Sequence, residues 1–203
     1  NTNKATDIIT TSVHISRTGR IIYPTTTTQQ TKQTANITAS TNSSCCMMRI
    51  VYVTHEIKRE APEIDGKFND SAWKQLEWMN DFVQVEPYEG KEPSQETKFK
   101  MLHSNDYLYI AIRAYDTNPD SIVKRLSRRD NLEGDQVGVQ IDSYNDNRTA
   151  FAFFASAAGV KTDWVVSDDG MNEDYNWDPI WYVDTAIDSL GWTAEMKIPF
   201  TQL

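Results

Sequence analysis

The sequence lacks the features that several protein classes require. Its two cysteines, Cys45 and Cys46, are adjacent, and this arrangement gives neither a disulfide framework nor the spacing of a zinc site. No run approaches the roughly 20 apolar residues of a membrane helix, and residues 1–20 have no apolar centre typical of a signal peptide. Nucleophile-elbow, phosphate-loop and HExxH motifs are also missing. We therefore expect no catalysis and no membrane-spanning segment in this chain.

Basic residues are scarce beyond residue 50. The 203 residues include 20 Lys and Arg against 29 Asp and Glu. Residues 1–50 hold five of the basic residues and a single acidic one, Asp7, which leaves 15 basic and 28 acidic residues for residues 51–203. Binding to a phosphate backbone needs a basic footprint, so nucleic acid is not expected as a partner. An acidic surface suits neutral ligands and divalent cations.

Residues 1–48 have little to bury. Thirteen threonines fall within residues 1–46, without a sustained period of 2 or 3.6 residues. Such a segment cannot offset its ordering entropy by burial. We predict a disordered, low-complexity tail (or an artefact of cloning or gene prediction) followed by one domain over residues 49–203.

Short alternating stretches dominate that domain. The predicted strands are RIVYVTHEI, TKFKML, YLYIAIRAYD, QVGVQID, TAFAFFASA, VKTDWVVS, IWYVDTAI and GWTAEMKIPF. A short helix capped near Asn69 or Asp70 and a second helix from Pro119 to about residue 130 are also predicted. The pattern predicts an all-β, antiparallel, jelly-roll-like β-sandwich with one or two short helices. We expect its final strands to be missing after Leu203, because the sheet edges would otherwise lie uncovered.

Five segments in order carry a resemblance to a known family. They are PEIDGKFNDSAWKQ, LYIAIRAYD, RRDNLEGDQVGVQID, WDPIWYV and GWTAEMKIPFTQL. Together, over about residues 58–203, they resemble the family 9 carbohydrate-binding module in its wider DOMON-like sense, as found at the N-terminus of large bacterial surface and outer-membrane proteins. The resemblance implies a β-sandwich, non-catalytic binding of polysaccharide or glycan chain ends, a role in polysaccharide breakdown or uptake, and often bound calcium. It also implies an extracellular, periplasmic or cell-surface location for a monomeric module.

The family's sugar clamp is altered in this sequence. The resemblance places Leu132 where a clamp tryptophan is expected and Phe154 where a sugar-binding arginine is expected, and the second tryptophan would fall beyond Leu203. Two readings therefore stay open: a carbohydrate-binding module, or a structural or interaction domain of an outer-membrane protein that has lost sugar binding. A heme- or redox-binding relative is disfavoured, because His55 and His103 have no obvious axial partner.

Aromatic residues in polar loops are the candidate sugar platforms. Trp177, Tyr175 and Asn176 lie in an acidic, amide-rich loop, and Tyr88 lies in another polar loop. Exposed rings stack on sugars and planar polar groups bind hydroxyls. Trp177 is either exposed for stacking or buried, whereas Trp181 and Trp164 alternate with apolar residues and are expected in the core.

The arginine pair at 128–129 has two interpretations. Arg128 and Arg129 either lie at a solvated helix end, where cations oppose the dipole, or form a fork on sugar hydroxyls or an acidic sugar. Two acidic loops offer oxygen ligands for structural calcium, although such loops are often only solvated turns. The candidate metal ligands are Asp142, Asn145, Asp146, Asp168, Asp169 and Asp174.

Overall fold

The computed structural model describes residues 10–17, 20–24, 35–38, 49–52, 54–57, 60–80, 82–84, 88–131, 133–146 and 148–203, with the strands before residue 54 described by their backbone. The strands in these residues are β1 (Thr10–Arg17), β2 (Arg20–Pro24), β3 (Ala35–Thr38), β4 (Arg49–Tyr52), β5 (His55–Glu56), β6 (Phe82–Gln84), β7 (Thr97–His103), β8 (Tyr107–Tyr115), β9 (Gln136–Asp142), β10 (Ala150–Ser156), β11 (Lys161–Ser167), β12 (Asn172–Asp174), β13 (Tyr182–Asp188) and β14 (Gly191–Pro199). Helical structure consists of α1 (Ser71–Lys74) and the 3₁₀ turns Pro119–Ser121, Asp168–Gly170 and Phe200–Gln202.

Two sheets form the sandwich. The seven-stranded sheet has the order β12-β11-β10-β9-β1-β2-β6, and the five-stranded sheet has the order β13-β14-β8-β7-β5. Strands β3 and β4 pair as a separate ribbon. The predicted all-β sandwich is confirmed. Pairing is antiparallel except between β5 and β7, which run parallel. The predicted strand RIVYVTHEI is divided, because β4 pairs with β3 in the separate ribbon whereas β5 belongs to the five-stranded sheet.

The main core lies between the sheets and is built from alternate residues. In β10, Phe151 and Phe153 face this core, whereas Ala152 and Phe154 belong to a separate cluster on the opposite face. This is the two-residue period of a strand. The prediction that Trp192, Ala194, Met196 and Ile198 share one buried face of β14 is confirmed. Trp181 is also buried in the core, as predicted.

The outer face of the five-stranded sheet is covered by the segment that contains α1. Trp73 and Leu76 on this segment pack on Leu102, Tyr109 and other residues of the sheet. Glu195 on β14 is fully buried and binds this segment through its side chain. Its carboxylate accepts hydrogen bonds from Asp65 N at 3.0 Å, Gly66 N at 2.8 Å and Trp73 Nε1 at 2.7 Å. The predicted short helix is confirmed, and its function is to bring an apolar surface onto this face.

The predicted helix from Pro119 to about residue 130 is wrong. The chain forms one 3₁₀ turn and then continues extended, with Lys124 bridging Gly134. The reason is Asp135, whose carboxylate accepts the backbone N–H of Val123 at 3.0 Å and whose own N–H binds the Val123 carbonyl at 3.3 Å. These tertiary contacts satisfy the backbone that helical bonds would otherwise use.

Part of the segment predicted as a disordered tail is paired in the large sheet. Strand β1 pairs with β9 from Thr10 opposite Asp142 to Ser16 opposite Gln136, and β2 pairs with β6. Most of the other residues of 1–48 lie outside the described part of the chain, so the domain boundary near residue 48 stays a prediction. None of the described helices is both long and apolar enough to cross a membrane.

Candidate functional site

Three aromatic rings stack on the outer face of the seven-stranded sheet. Phe154 on β10 lies 4.8 Å from Trp164 on β11, and Trp164 lies 5.3 Å from Tyr175, which directly follows β12. The planes are inclined by 34° and 27°, so the rings face one another across three neighbouring strands. We call these three residues the aromatic stack. At its inner end, Phe154 covers Gly138 so closely that a Cβ there would lie 2.2 Å from the ring.

Tyr175 is the exposed end of the aromatic stack. Its side chain is 47% exposed, whereas Trp164 is buried beneath it. The Tyr175 hydroxyl donates to Glu173 Oε2 at 2.9 Å, and Asn176 Nδ2 donates to Asp174 Oδ1 at 2.8 Å. Burial and the hydrogen bond to Glu173 raise the pKa of Tyr175 to about 12. This end therefore presents a neutral ring bordered by carboxylate and amide groups.

Two polar atoms beside the stack are buried without a partner. Within the described residues, neither Thr162 Oγ1 nor Trp164 Nε1 has a hydrogen-bond partner. Both residues belong to β11 and share its outer face. Because buried polar groups are normally paired, these two atoms are places where an ordered water would complete the hydrogen bonding under the stack.

Trp177 lies on the core side of the same loop. Its ring is 5.1 Å from Phe151 and 5.5 Å from Phe153, and it is only partly exposed. Of the two expectations for Trp177, packing against the core is the one found, because the chain turns at residues 175 and 176 after β12 and places Trp177 on the other side from Tyr175. Exposed Tyr144 lies at the rim of this cluster, 5.9 Å from Phe151.

The two arginines predicted as sugar ligands have different surroundings. Arg128 is exposed. The Nη2 atom of Arg129 lies 2.9 and 2.8 Å from the two carboxylate oxygens of Asp163, 2.6 Å from Asp178 Oδ1 and 3.0 Å from the Pro179 carbonyl. Burial lowers the pKa of Arg129, but the hydrogen bond and charge of Asp163 and the charge of Asp178 raise it overall above its ordinary value. Arg129 is thus a permanently charged link between two parts of the protein, and neither arginine lies at a helix end.

The carboxylates of the first acidic loop accept hydrogen bonds from its backbone. In the first loop, Asp146 Oδ1 accepts the backbone N–H groups of Arg148 and Thr149 at 2.7 and 2.8 Å, and Asp142 Oδ1 accepts that of Asp146 at 3.3 Å. Burial raises the pKa of Asp146, but these backbone bonds lower it overall below its ordinary value. Asn145, in the same loop, adopts a left-handed conformation with φ of 53°.

The carboxylates of the second acidic loop also bind protein groups. Asp169 forms an ion pair with Arg148 at 2.8 Å. Asp174 accepts hydrogen bonds from the backbone and side-chain nitrogens of Asn176, and these bonds lower the pKa of Asp174. Asp168 is exposed in a left-handed turn. In the described part of the chain, no three His, Cys, Asp or Glu side chains gather as a metal site. Calcium binding therefore rests on the resemblance alone and stays a prediction.

The remaining predicted positions are Tyr88, Leu132 and Phe154. Tyr88 is 57% exposed and has the Lys91 ammonium 4.2 Å from its ring centre, in a loop preceded by β6. Leu132 lies outside the described residues. Phe154 stands where the resemblance expects an arginine, and its ring forms the inner end of the aromatic stack.

Sequence reasoning identified one end of the aromatic stack and missed the rest. Tyr175 is among the predicted candidates and Trp164 is buried as predicted, whereas the stacking of Trp164 between Tyr175 and Phe154 is not evident from the sequence. The doublet Phe153-Phe154 was the available signal. Consecutive strand residues point to opposite faces, so two adjacent phenylalanines require an aromatic ring on each side of β10.

Comparisons with known proteins agree with this fold. Two solved structures of a family 9 carbohydrate binding module from Caldicellulosiruptor kristjanssonii, one in complex with glucose and one with cellotriose, have TM-scores of 0.51 and 0.50 to this chain. Each is 19% identical to it, and the alignments cover 72% of this chain and 68% and 67% of the respective structures. No curated protein matches the chain. The family described as carbohydrate family 9 binding domain-like matches residues 64–203, well over half of the sequence, and the chain belongs to this family.

Proposed function

We propose that this protein is a non-catalytic carbohydrate-binding module that receives a sugar ring on Tyr175, at the exposed end of the aromatic stack. The observation that carries the proposal is the stack itself, a half-exposed tyrosine supported by two buried rings on the outer face of a sheet. Large rings fixed in one orientation offer apolar contact at a small cost in side-chain entropy.

The groups around Tyr175 suit the hydroxyls of a sugar. Glu173 and Asp174 supply acceptors, and the Asn176 amide supplies donors as well as an acceptor. The binding step forms no covalent bond. Family membership supports a carbohydrate ligand, and the complexes of the similar bacterial modules suggest glucose and cellotriose as first probes.

The benefit of such a module to a larger protein is a raised effective concentration. A module that holds an attached enzyme or transport barrel near polysaccharide increases the chance of each productive encounter without changing the chemistry. We propose, from the resemblance, that the protein takes part in polysaccharide breakdown or uptake at an extracellular, periplasmic or outer-membrane location.

One observation favours a second function. Phe154 occupies the position expected for a sugar-binding arginine and covers the backbone at Gly138, so this part of the face offers no charged donor. A structural or interaction domain that retained the sandwich and lost the sugar site is the rival proposal. The two proposed functions differ in whether the protein binds any glycan.

A glycan array and the variant Tyr175→Ala together test the proposed function and its site. Stacking contacts are worth about 1 kcal/mol or more, so this variant should bind cellotriose or an array-identified glycan roughly tenfold more weakly in calorimetric titration. Tyr182→Ala is the matched control, because Tyr182 is exposed to a similar extent, 48%, on the other sheet. Equal binding by the two variants would remove Tyr175 from the site, and an array without any retained glycan would favour the rival function.

A further inference from the structure

Strand β11 connects the aromatic stack to a buried charge network. Its outward residue Trp164 is the central ring of the stack, and its preceding residue Asp163 points to the core side and is fully buried. Asp163 accepts hydrogen bonds from Trp181 Nε1 at 3.0 Å and from Arg129 at 2.9 and 2.8 Å. The two faces of one strand thus carry the ring beneath Tyr175 and the anchor of the loop that contains Tyr175.

The loop that contains Tyr175 is held at both ends. At its beginning, Asp174 pairs with Val165 in the sheet. At its end, Arg129 binds the Asp178 carboxylate at 2.6 Å and the Pro179 carbonyl at 3.0 Å. Only Asp163 among the carboxylates bound by Arg129 is buried, so the arginine couples an exposed loop to a fixed point inside the protein.

We infer that Arg129 is a positioning residue for carbohydrate binding, which holds the loop so that Tyr175 lies flat on Trp164. This inference rests on the proposed function and assigns Arg129 a role through Tyr175 rather than through contact with the sugar. The guanidinium is suited to this role because its outermost nitrogen, Nη2, makes all of these contacts at the end of a long side chain that stays charged.

The inference is tested with Arg129→Lys. A lysine ammonium still compensates the buried Asp163, but its side chain ends short of the Nη2 position from which Arg129 reaches Asp163, Asp178 and Pro179. The variant should remain folded, lose the nuclear Overhauser contacts between the rings of Trp164 and Tyr175, and bind cellotriose about tenfold more weakly. Arg128→Lys, the same change at the exposed neighbouring arginine, should alter neither measurement.

Two results would overturn the inference. Ring contacts and cellotriose affinity that survive Arg129→Lys would show that Arg129 is not needed for positioning, and equal losses in Arg128→Lys would show that the effect is not specific to the network. The ring contacts are measured without sugar, so they decide the inference even if the wild-type protein binds no glycan and the proposed function fails.

A second variant covers the case in which Arg129→Lys does not fold. The double change Arg129→Leu with Asp163→Asn removes both charges, so no uncompensated buried carboxylate remains. The amide carbonyl introduced at position 163 would still accept the Trp181 hydrogen bond. Loss of the Trp164–Tyr175 ring contacts in this folded variant supports the inference, and their retention contradicts it.

Discussion

Replacing Glu195 with glutamine should abolish part of the pH dependence of stability. Burial raises the pKa of Glu195 from 4.5 to about 7, against the opposing effect of the three N–H groups that donate to it. In the pH range between these values, the folded protein keeps a proton that the unfolded chain releases. Stability therefore falls as pH rises from about 4.5 to about 7 and does not change further above that range through this group.

The magnitude follows from the size of the shift. A pKa difference of about 2.5 units corresponds to about 3 kcal/mol, at 1.36 kcal/mol per unit. Urea unfolding of the wild type and of Glu195→Gln between pH 4.5 and 8 measures this quantity as the change in their difference in unfolding free energy. Glu63→Gln, at an exposed position, is the control and should follow the wild type. Parallel profiles for wild type and Glu195→Gln would refute the reasoning and show that the three donors keep the carboxylate ionised.

Two further substitutions test the aromatic arrangement. Trp177→Ala should lower the free energy of unfolding by about 2 kcal/mol, because the ring packs on Phe151 and Phe153, and a melting temperature unchanged in calorimetry would contradict this packing. Gly138→Ala should displace the Phe154 ring, since the new Cβ would lie 2.2 Å from it, and should cost about 1–3 kcal/mol. Unaltered near-ultraviolet circular dichroism in Gly138→Ala would show that Phe154 does not lie against the glycine.

The fold followed from short-range alternation, and this is why most of it was predictable. Strands β7 to β11, β13 and β14 lie within two residues of the stretches proposed from the sequence. The second helix was predicted because Ile122, Val123 and Leu126 have helical spacing. The prediction is wrong because these residues do not form one buried face: Leu126 is 82% exposed and only Ile122 is buried. The spacing was fortuitous, and the contact with Asp135 that overrode it joins residues twelve apart in the sequence.

The candidate site was less predictable because it depends on pairing between strands. No local pattern states that Trp164 on β11 lies between Phe154 and Tyr175, since that requires the register of three strands. For the same reason, the sequence allowed Arg129 to be interpreted as a sugar ligand. Its partner Asp163 is 34 residues away and faces the core. The sequence shows that a charged arginine is present at position 129, but only the strand pairing shows that its side chain binds Asp163.

The alternation along β11 has a practical consequence for engineering. Positions 162, 164 and 166 present one surface, whereas Asp163 and Val165 serve the interior. A combinatorial library of apolar and aromatic residues at the even-numbered sites should yield folded proteins with altered ligand preference, while randomising the odd-numbered sites should yield mostly insoluble ones. Inserting a single amino acid directly before Asp163 would exchange the indole of Trp164 for the carboxylate of Asp163 on the outside, so this strand should tolerate substitution far better than a change in length.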